Sequence, residues 1–418
     1  MNITLNFARE KQAIDIPDGN LLQILQPNKV ELGLTGEDEI ERALDNPIES
    51  LTIEKLFNAD DTVAIVTSDI TRPVPNKLVL PQVLCRLILA GVKTENITIV
   101  FALGSHRNHT EAEMIDLVGA DIFDNYRCVD SGSAGFVNMG TSSYGTPQDI
   151  CRHVAAAKKR ICIGNIEYHY FAGYSGGAKA IMPGVSTRAA IQANHQRMID
   201  PEAHAGNLVS NPVRLDIDEV INHCPVAFIL NVILDEQKRV IKAVAGDCLL
   251  AHRAGCDFLD TIYKIGITEK TDIVVVSAGG WPKDINLYQA QKALDNAKHA
   301  VRDGGTIILL ASCKEGLGEE IFEEWLTQAK CPADLVCRIK QEFVLGGHKA
   351  AAIALILANA EIFMVSDLQP RLVESLFMKP YSELEFAFDV ALTKHGADAK
   401  VIVMPYGGST LPQLSVSV

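Results

Sequence analysis

The sequence has no long apolar run, no basic cluster and no closely spaced cysteine pair, and each absence removes a class of function. Its longest uncharged apolar stretch in the C-terminal half, Ala350–Ala358, is about half of the ~20 residues that a membrane-crossing helix needs. The segment Met1–Lys11 is charged and lacks an apolar core, so neither a membrane span nor an export signal is expected. Lys and Arg number 38 against 52 Asp and Glu, a net charge of −14 with no basic run that could neutralise a series of phosphates, which argues against a nucleic-acid partner. The ten cysteines include no C-x-x-C pair. Cys331 and Cys337 fit neither a zinc knuckle nor a redox motif, and others such as Cys85 lie in apolar runs, so reduced, structural thiols in a cytoplasmic protein are expected. What is present is 48% hydrophobic and 22% charged over 418 residues, enough for two or three domains with real cores.

Hydrophobic patterning gives the order of elements. Thr62–Thr67 is a short β-branched run, followed by a proline-punctuated loop, a helical pattern over Asn76–Ala90 and a second strand, Ile97–Leu103. Strand, loop, helix, strand is the βαβ unit of a parallel sheet, whose continuous apolar strands imply helices on both faces. Arg160–Ile163 starts another strand that enters a glycine-rich loop, Val226–Leu234 and Arg239–Val244 read as a hairpin, and Leu249–Tyr263 as a helix. The pattern restarts with a strand at Ile273–Ser277, a helix at Leu287–Val301, a strand at Thr306–Ala311 and helices to about Ala360. The expectation is an α/β fold of two domains with parallel or mixed sheets and helices on both faces. An N-terminal domain would span 1–264 and a smaller C-terminal domain 265–395, with the strand and tail of 396–418 assigned to neither. The active site is expected in the interdomain crevice, among loops at the carboxyl ends of strands.

Three of those loops carry chemistry. The first, Ser68 to Pro75, offers Asp69, Thr71 and Arg72 between stiffening prolines; Arg72 suits a carboxylate or phosphate and Asp69 a hydroxyl, although a mutual Asp69–Arg72 salt bridge is the plainer reading. The second is Gly104-Ser105-His106-Arg107-Asn108-His109, where His106 follows the turn and His109 precedes a Thr110-x-x-Glu113 capping box. The third runs from Glu167 through His169 and Gly173-Tyr174-Ser175-Gly176-Gly177-Ala178-Lys179 to Pro183-Gly184. Its glycines and Ser175 suggest an anion-cradling nest. The spacing is not that of a P-loop, and Ala180 stands where a magnesium-holding Ser or Thr would be. Lys179 lies among apolar residues, where burial lowers an amine's pKa and makes it nucleophilic. Downstream, Ser186–Met198 reads as a helix capped by Ser186, with Asn194-His195 near its end, so that His195 is either a metal ligand or a helix C-cap.

The combination resembles the nickel-pincer lactate racemase family over nearly the whole chain. The likeness rests on Asp69-x-Thr71-Arg72-Pro73-Val74-Pro75, Gly104-x-His106-Arg107 and His169-x-x-x-Gly173-Tyr174-Ser175-Gly176-Gly177-x-Lys179. Pro183-Gly184, Asn194-His195 and Tyr288-Gln289-x-x-Lys292 extend it. The resemblance implies a racemase or epimerase of a 2-hydroxy acid and a nickel-pincer nucleotide, a pyridinium mononucleotide whose thioamide and thiocarboxylate sulfurs and ring carbon grip nickel. It makes Lys179 the covalent attachment and His195 the protein's nickel ligand. His106 and His169 become the acid/base pair, and Arg72 the substrate-carboxylate clamp. Gln289 and Lys292 become polar contacts of the second domain. Asp69, Thr71, Tyr174, Ser175, Gly176, Gly177 and Tyr288 become cofactor contacts, with the ribose and phosphate placed on Asp69 and on Ser175-Gly176-Gly177. The partners implied are a small 2-hydroxy acid, cofactor-maturation enzymes and a second copy in a homodimer. The motifs do not distinguish among 2-hydroxy acids.

That chemistry suits these residue types. Inverting a carbon that bears OH and carboxylate means removing a very weakly acidic hydrogen, and a hydride acceptor avoids a carbanion. Near-neutral imidazoles can move the hydroxyl proton in either direction. Two other readings remain open from the residues: a zinc- or iron-dependent lyase or hydrolase built on His106, His169 and His195, and a non-catalytic nickel or small-anion binder.

Overall fold

The computed structural model describes residues 1–415. It divides into two compact units, Val30–Asp260 and a second made of Met1–Lys29 with the chain from Thr261 onward. Each unit is built on a six-stranded sheet. In chain order the strands of these two sheets are β1 (Leu21–Ile24), β2 (Val63–Ser68), β3 (Ile97–Ala102), β4 (Arg127–Asp130), β5 (Lys159–Asn165), β6 (Phe228–Leu234), β7 (Val240–Gly246), β8 (Thr271–Ser277), β9 (Val301–Leu310), β10 (Glu361–Val365), β11 (Lys379–Tyr381) and β12 (Val401–Met404).

The sheet of the Val30–Asp260 unit has the order β7-β6-β5-β2-β3-β4. All of its pairs are parallel except the β6–β7 hairpin. Val63, Ala64, Ile65 and Val66 are all buried, as a strand covered on both faces by helices requires. The helices used below are α1 (Asn76–Leu89), α2 (Glu111–Val118), α3 (Arg188–His195), α4 (Pro212–Glu219), α5 (Leu250–Tyr263) and α6 (Leu287–Ala297). The capping box read in the sequence opens α2, with Thr110 Oγ1 accepting from the Glu113 amide and Glu113 accepting from the Thr110 amide. From β2 the chain moves to β3 and β4 on one side and returns to β5 on the other. The reversal falls between β2 and β5, so the crevice beyond their carboxyl ends is the switch point where open α/β sheets bind ligands.

The sheet of the other unit is wholly parallel, in the order β11-β10-β9-β8-β12-β1. Its switch point lies between β8 and β12, and α6 follows the loop that leaves β8.

Three sequence expectations are corrected. Residues 1–264 do not form one domain: β1 pairs with β12, and Ile3, Leu5 and Ile14 of the N-terminal hairpin share a core with Phe363, Phe388 and Val403. The segment 396–418, left unassigned from sequence, supplies β12 between β8 and β1 in that same sheet. The cap of the helix ending at His195 is Thr187, which accepts from the Ala190 amide, whereas Ser186 donates its hydroxyl to the Ile181 carbonyl. A strand carries its hydrophobicity in its own residues and its partner in none of them.

Phe101 on β3 is fully buried with its ring 5.3 Å from that of His109. Phe101→Ala is expected to destabilise the protein by about 3–5 kcal/mol, the usual cost of such a cavity. A lowered urea midpoint is the measurement that checks it.

Candidate active site

The loops beyond β2, β3 and β5 bring together most of the residues singled out in the sequence. Asp69, the first residue after β2, is 3% exposed and uses both carboxylate oxygens. Oδ1 accepts from the Thr71 hydroxyl at 2.7 Å and the Thr71 amide at 3.3 Å, and Oδ2 meets His106 Nδ1. Burial alone would raise this carboxyl. The hydrogen bond and charge of His106, with help from Thr71 and Arg72, outweigh burial and hold it below the usual carboxylate range. An ionised carboxylate only accepts, so His106 carries a proton on Nδ1, and in the neutral ring the lone pair is then at Nε2. The expected Asp69–Arg72 ion pair is not among the contacts of the described residues; the His106 imidazole stands in its place.

His109 is turned away from this role. Its side chain is 1% exposed, its Nδ1 binds Asp130 at 2.7 Å and its Nε2 accepts from the Ile70 amide at 3.1 Å, so it braces the first loop. The two loops also close on the third, since the Gly104 amide donates to the Gly184 carbonyl at 2.8 Å.

The third loop is held from behind. Arg214 on α4 has no exposed surface and directs Nη1 to the carbonyls of Tyr174 and Gly176 at 3.3 and 3.4 Å. His252 on α5 donates Nε2–H to the carbonyl between them, that of Ser175, at 2.8 Å. Gly177 has φ +60°, and a Cβ there would stand 2.8 Å from the His252 ring, so only glycine fits against the clamp. Arg214 is paired with Asp218 at 2.9 Å one helical turn on.

This wiring corrects the expected anion nest. The Ser175 hydroxyl donates to the Asn165 carbonyl, the Ser175 amide to the Glu167 carbonyl, and the Gly177 amide to Asn231 Oδ1 at 2.7 Å. Those donors fix the loop and are not open to a phosphate. Tyr174 is likewise 1% exposed, with its hydroxyl donating to Asp260 at 2.7 Å beside that of Tyr168 at 2.8 Å, which makes it a structural anchor.

Lys179 sits on the short turn Gly177–Ala180 and is half-buried. Desolvation, then the positive charges of Arg72 and Arg214, pull its amine down to about 7 against the opposing charge of Glu167. Near neutral pH a large share of the amine is therefore uncharged and nucleophilic.

His169 and His195 flank one ring: Phe171 lies 4.5 Å from the first and 4.8 Å from the second, edge-on to both. His169 Nδ1 accepts from the Ala172 amide at 3.2 Å, so the neutral ring carries its proton on Nε2. His195 ends α3 and bonds Asn194 Oδ1 through Nδ1 at 2.8 Å. Among the described residues no three His, Cys, Asp or Glu side chains gather into a metal site.

Tyr288, Gln289 and Lys292 belong to the other unit, on α6. Gln289 and Lys292 are exposed and three residues apart on one helical face, while Leu287, Ala290 and Leu294 are buried. The Tyr288 ring packs on Phe322 at 5.5 Å and under the Lys349 amine at 3.9 Å. Sequence reasoning passed over Arg214, Asn231, His252, Asp130 and Asp216. The one available signal was Asn211-Pro212-x-Arg214-x-x-x-Asp218, a helix start followed by an i,i+4 ion pair.

Comparison with known proteins divides the chain in sequence order, with residues 7–29 counted in the N-terminal family model although they fold with the C-terminal unit. Residues 7–206 match the family model described as the lactate racemase N-terminal domain, and residues 267–411 the lactate racemase C-terminal domain. The chain is 34% identical over 422 residues to the lactate racemase of Thermoanaerobacterium thermosaccharolyticum, covering 98% of this chain and 99% of that protein. It is 34% identical over 384 residues to the lactate racemase of Lactiplantibacillus plantarum, 90% of each. The structure of the T. thermosaccharolyticum lactate racemase apoprotein superposes with a TM-score of 0.90 at 33% identity, covering 99% of this chain and all of that one. A protein from Thermotoga maritima shares the fold alone, with a TM-score of 0.63 at 17% identity over 92% of this chain and all of that one.

A small acylating reagent is expected to modify Lys179 with a rate that rises through a midpoint near pH 7, the value to which its amine is held, whereas exposed lysines respond near their ordinary ~10.4. Peptide mass mapping across pH checks this. Arg214→Met removes one of the two positive charges and is expected to move the midpoint upward.

Proposed function

The chain belongs to the lactate racemase family, and from that premise we propose that it interconverts the enantiomers of lactate or a close 2-hydroxy acid. It is an isomerase by that kinship. The observation that carries the reading is the depressed amine of Lys179, on the loop where likeness to the family implies a covalent cofactor.

The residues fit a nickel-pincer nucleotide in two respects. A neutral amine at 179 is the nucleophile that attachment needs, and a His195 ring protonated on Nδ1 leaves Nε2 as a borderline donor suited to nickel. Lys179 would hold the group and His195 would be its one ligand from the protein. When bound, it supplies a hydride acceptor for the hydrogen on the substrate's C2.

The chain's own residues bind, orient and move the hydroxyl proton. Arg72, exposed midway along the first loop, offers a planar fork to the substrate carboxylate and keeps the molecule from drifting while its reacting carbon is planar. His106, with Asp69 fixing its tautomer, is the base ready to take the hydroxyl proton of one enantiomer. His169 presents Nε2–H to the substrate oxygen. For the mirror enantiomer it takes the proton at that nitrogen, which means placing its own on Nδ1 and releasing the Ala172 amide. Gln289 and Lys292 serve the substrate's polar groups. The maturation enzymes that build the cofactor are the partners this scheme requires.

The test uses protein purified from cells that make the cofactor, given enantiopure lactate deuterated at C2. The expected result is racemisation with deuterium kept at C2; failure to interconvert any enantiopure 2-hydroxy acid overturns the proposal. His106→Ala and His169→Ala are each expected to lower the rate by about 10²–10⁴ with the cofactor retained, and Asp69→Asn to fall in the same range because it lets the His106 tautomer go. Chiral chromatography of the product and whole-protein mass check both halves.

A further inference from the structure

His195 does not reach its place alone. It and Asn194 close α3, and both are buried. The orientation of the Asn194 amide is fixed from its far side, where Nδ2 donates to Asp216 Oδ2 at 2.8 Å and to the Val213 carbonyl at 3.1 Å. A carboxylate and a carbonyl only accept, so the nitrogen must face them and the oxygen must face His195. Asp216, on α4, has no exposed surface; the hydroxyls of Ser142 and Thr146 donate to its two oxygens at 2.6 Å each, and Arg197 Nη1 lies 3.7 Å away.

We propose that Asn194 and Asp216 are positioning residues that lock His195 as its Nδ1–H tautomer and thereby make Nε2 the nickel donor. The inference rests on His195 being the metal ligand and adds the residues that prepare it. In water a neutral imidazole exchanges between two tautomers, one of which would turn an N–H toward the metal. A site with a single ligand from the protein has no second side chain to correct such an error. The buried carboxylate acts one step removed: it polarises the amide, and the amide oxygen becomes the stronger acceptor for Nδ1–H. Because Ser142 and Thr146 donate to Asp216 and cannot be replaced by water in so closed a place, the whole chain of bonds is set before any metal arrives.

The test begins with cofactor-free protein labelled with 15N at its histidine rings, the His195 signals being assigned by their loss in His195→Gln. A protonated Nδ1 and an unprotonated Nε2 are expected. A wild-type spectrum with the proton on Nε2 overturns the proposal without recourse to any variant. In Asn194→Ala the two tautomers are expected to mix. In mature Asn194→Ala protein, nickel is expected to leave about 10- to 100-fold faster during dialysis, the usual effect of removing such a partner, while mass analysis still finds the organic part on Lys179. Thr146→Val, nearly the same shape and lacking one donor to Asp216, is expected to shift both readouts in the same direction by less. Variants that fold, keep the wild-type tautomer and keep their nickel overturn the proposal. If wild-type His195 shows the expected tautomer and mature protein still holds no nickel there, the locking of the ring is supported and the metal role of His195 is overturned.

Discussion

A lysine amine withdrawn from water beside two guanidinium groups is the constraint on which the site depends. Desolvation and the charges of Arg72 and Arg214 lower the Lys179 amine together. The same Arg214 fastens the carbonyls on either side of Ser175. One buried side chain thus sets both the shape of the loop and the reactivity of the group it carries. The cost of burying Arg214 is met by Asp218 on its own helix, with Nη2 also lying 3.3 Å from His252 Nδ1.

A common device recurs around the site: a buried carboxylate or amide chooses the tautomer of a histidine. Asp69 does so for His106, Asp130 for His109 and Asn194 for His195, whereas a backbone amide does so for His169. The outcomes differ. His106 holds a proton on Nδ1 and the neutral His169 ring holds its proton on Nε2, so opposite ring nitrogens are fixed by the protein. His109 has both nitrogens engaged and contributes only rigidity.

Much of the fold was legible locally. The β-branched run at 62–67, the Thr110–Glu113 capping box and the hairpin near 228–246 all appear, because strand burial, capping and turn geometry depend on residues close in sequence. The site was legible as a set of loop residues. Its wiring was not: Asp69 had been read beside Arg72 and is bound to His106, while Tyr174, Ser175 and Gly177, expected against a ligand, hold the protein's own groups. Asn231 and His252 lie 54 and 77 residues from Gly177 and Ser175, the loop residues they bond, and no local pattern announces them.

The sequence by itself determined the class of fold, the loops that carry chemistry and the family to which they point, since these follow from periodicity, residue type and spacing along the chain. Tertiary structure alone decided that the first 29 residues complete the sheet of the C-terminal unit, which group each histidine faces and how far the Lys179 amine is depressed. Those facts depend on groups brought together across long stretches of chain, and hydrogen bonding and desolvation act through distance in space.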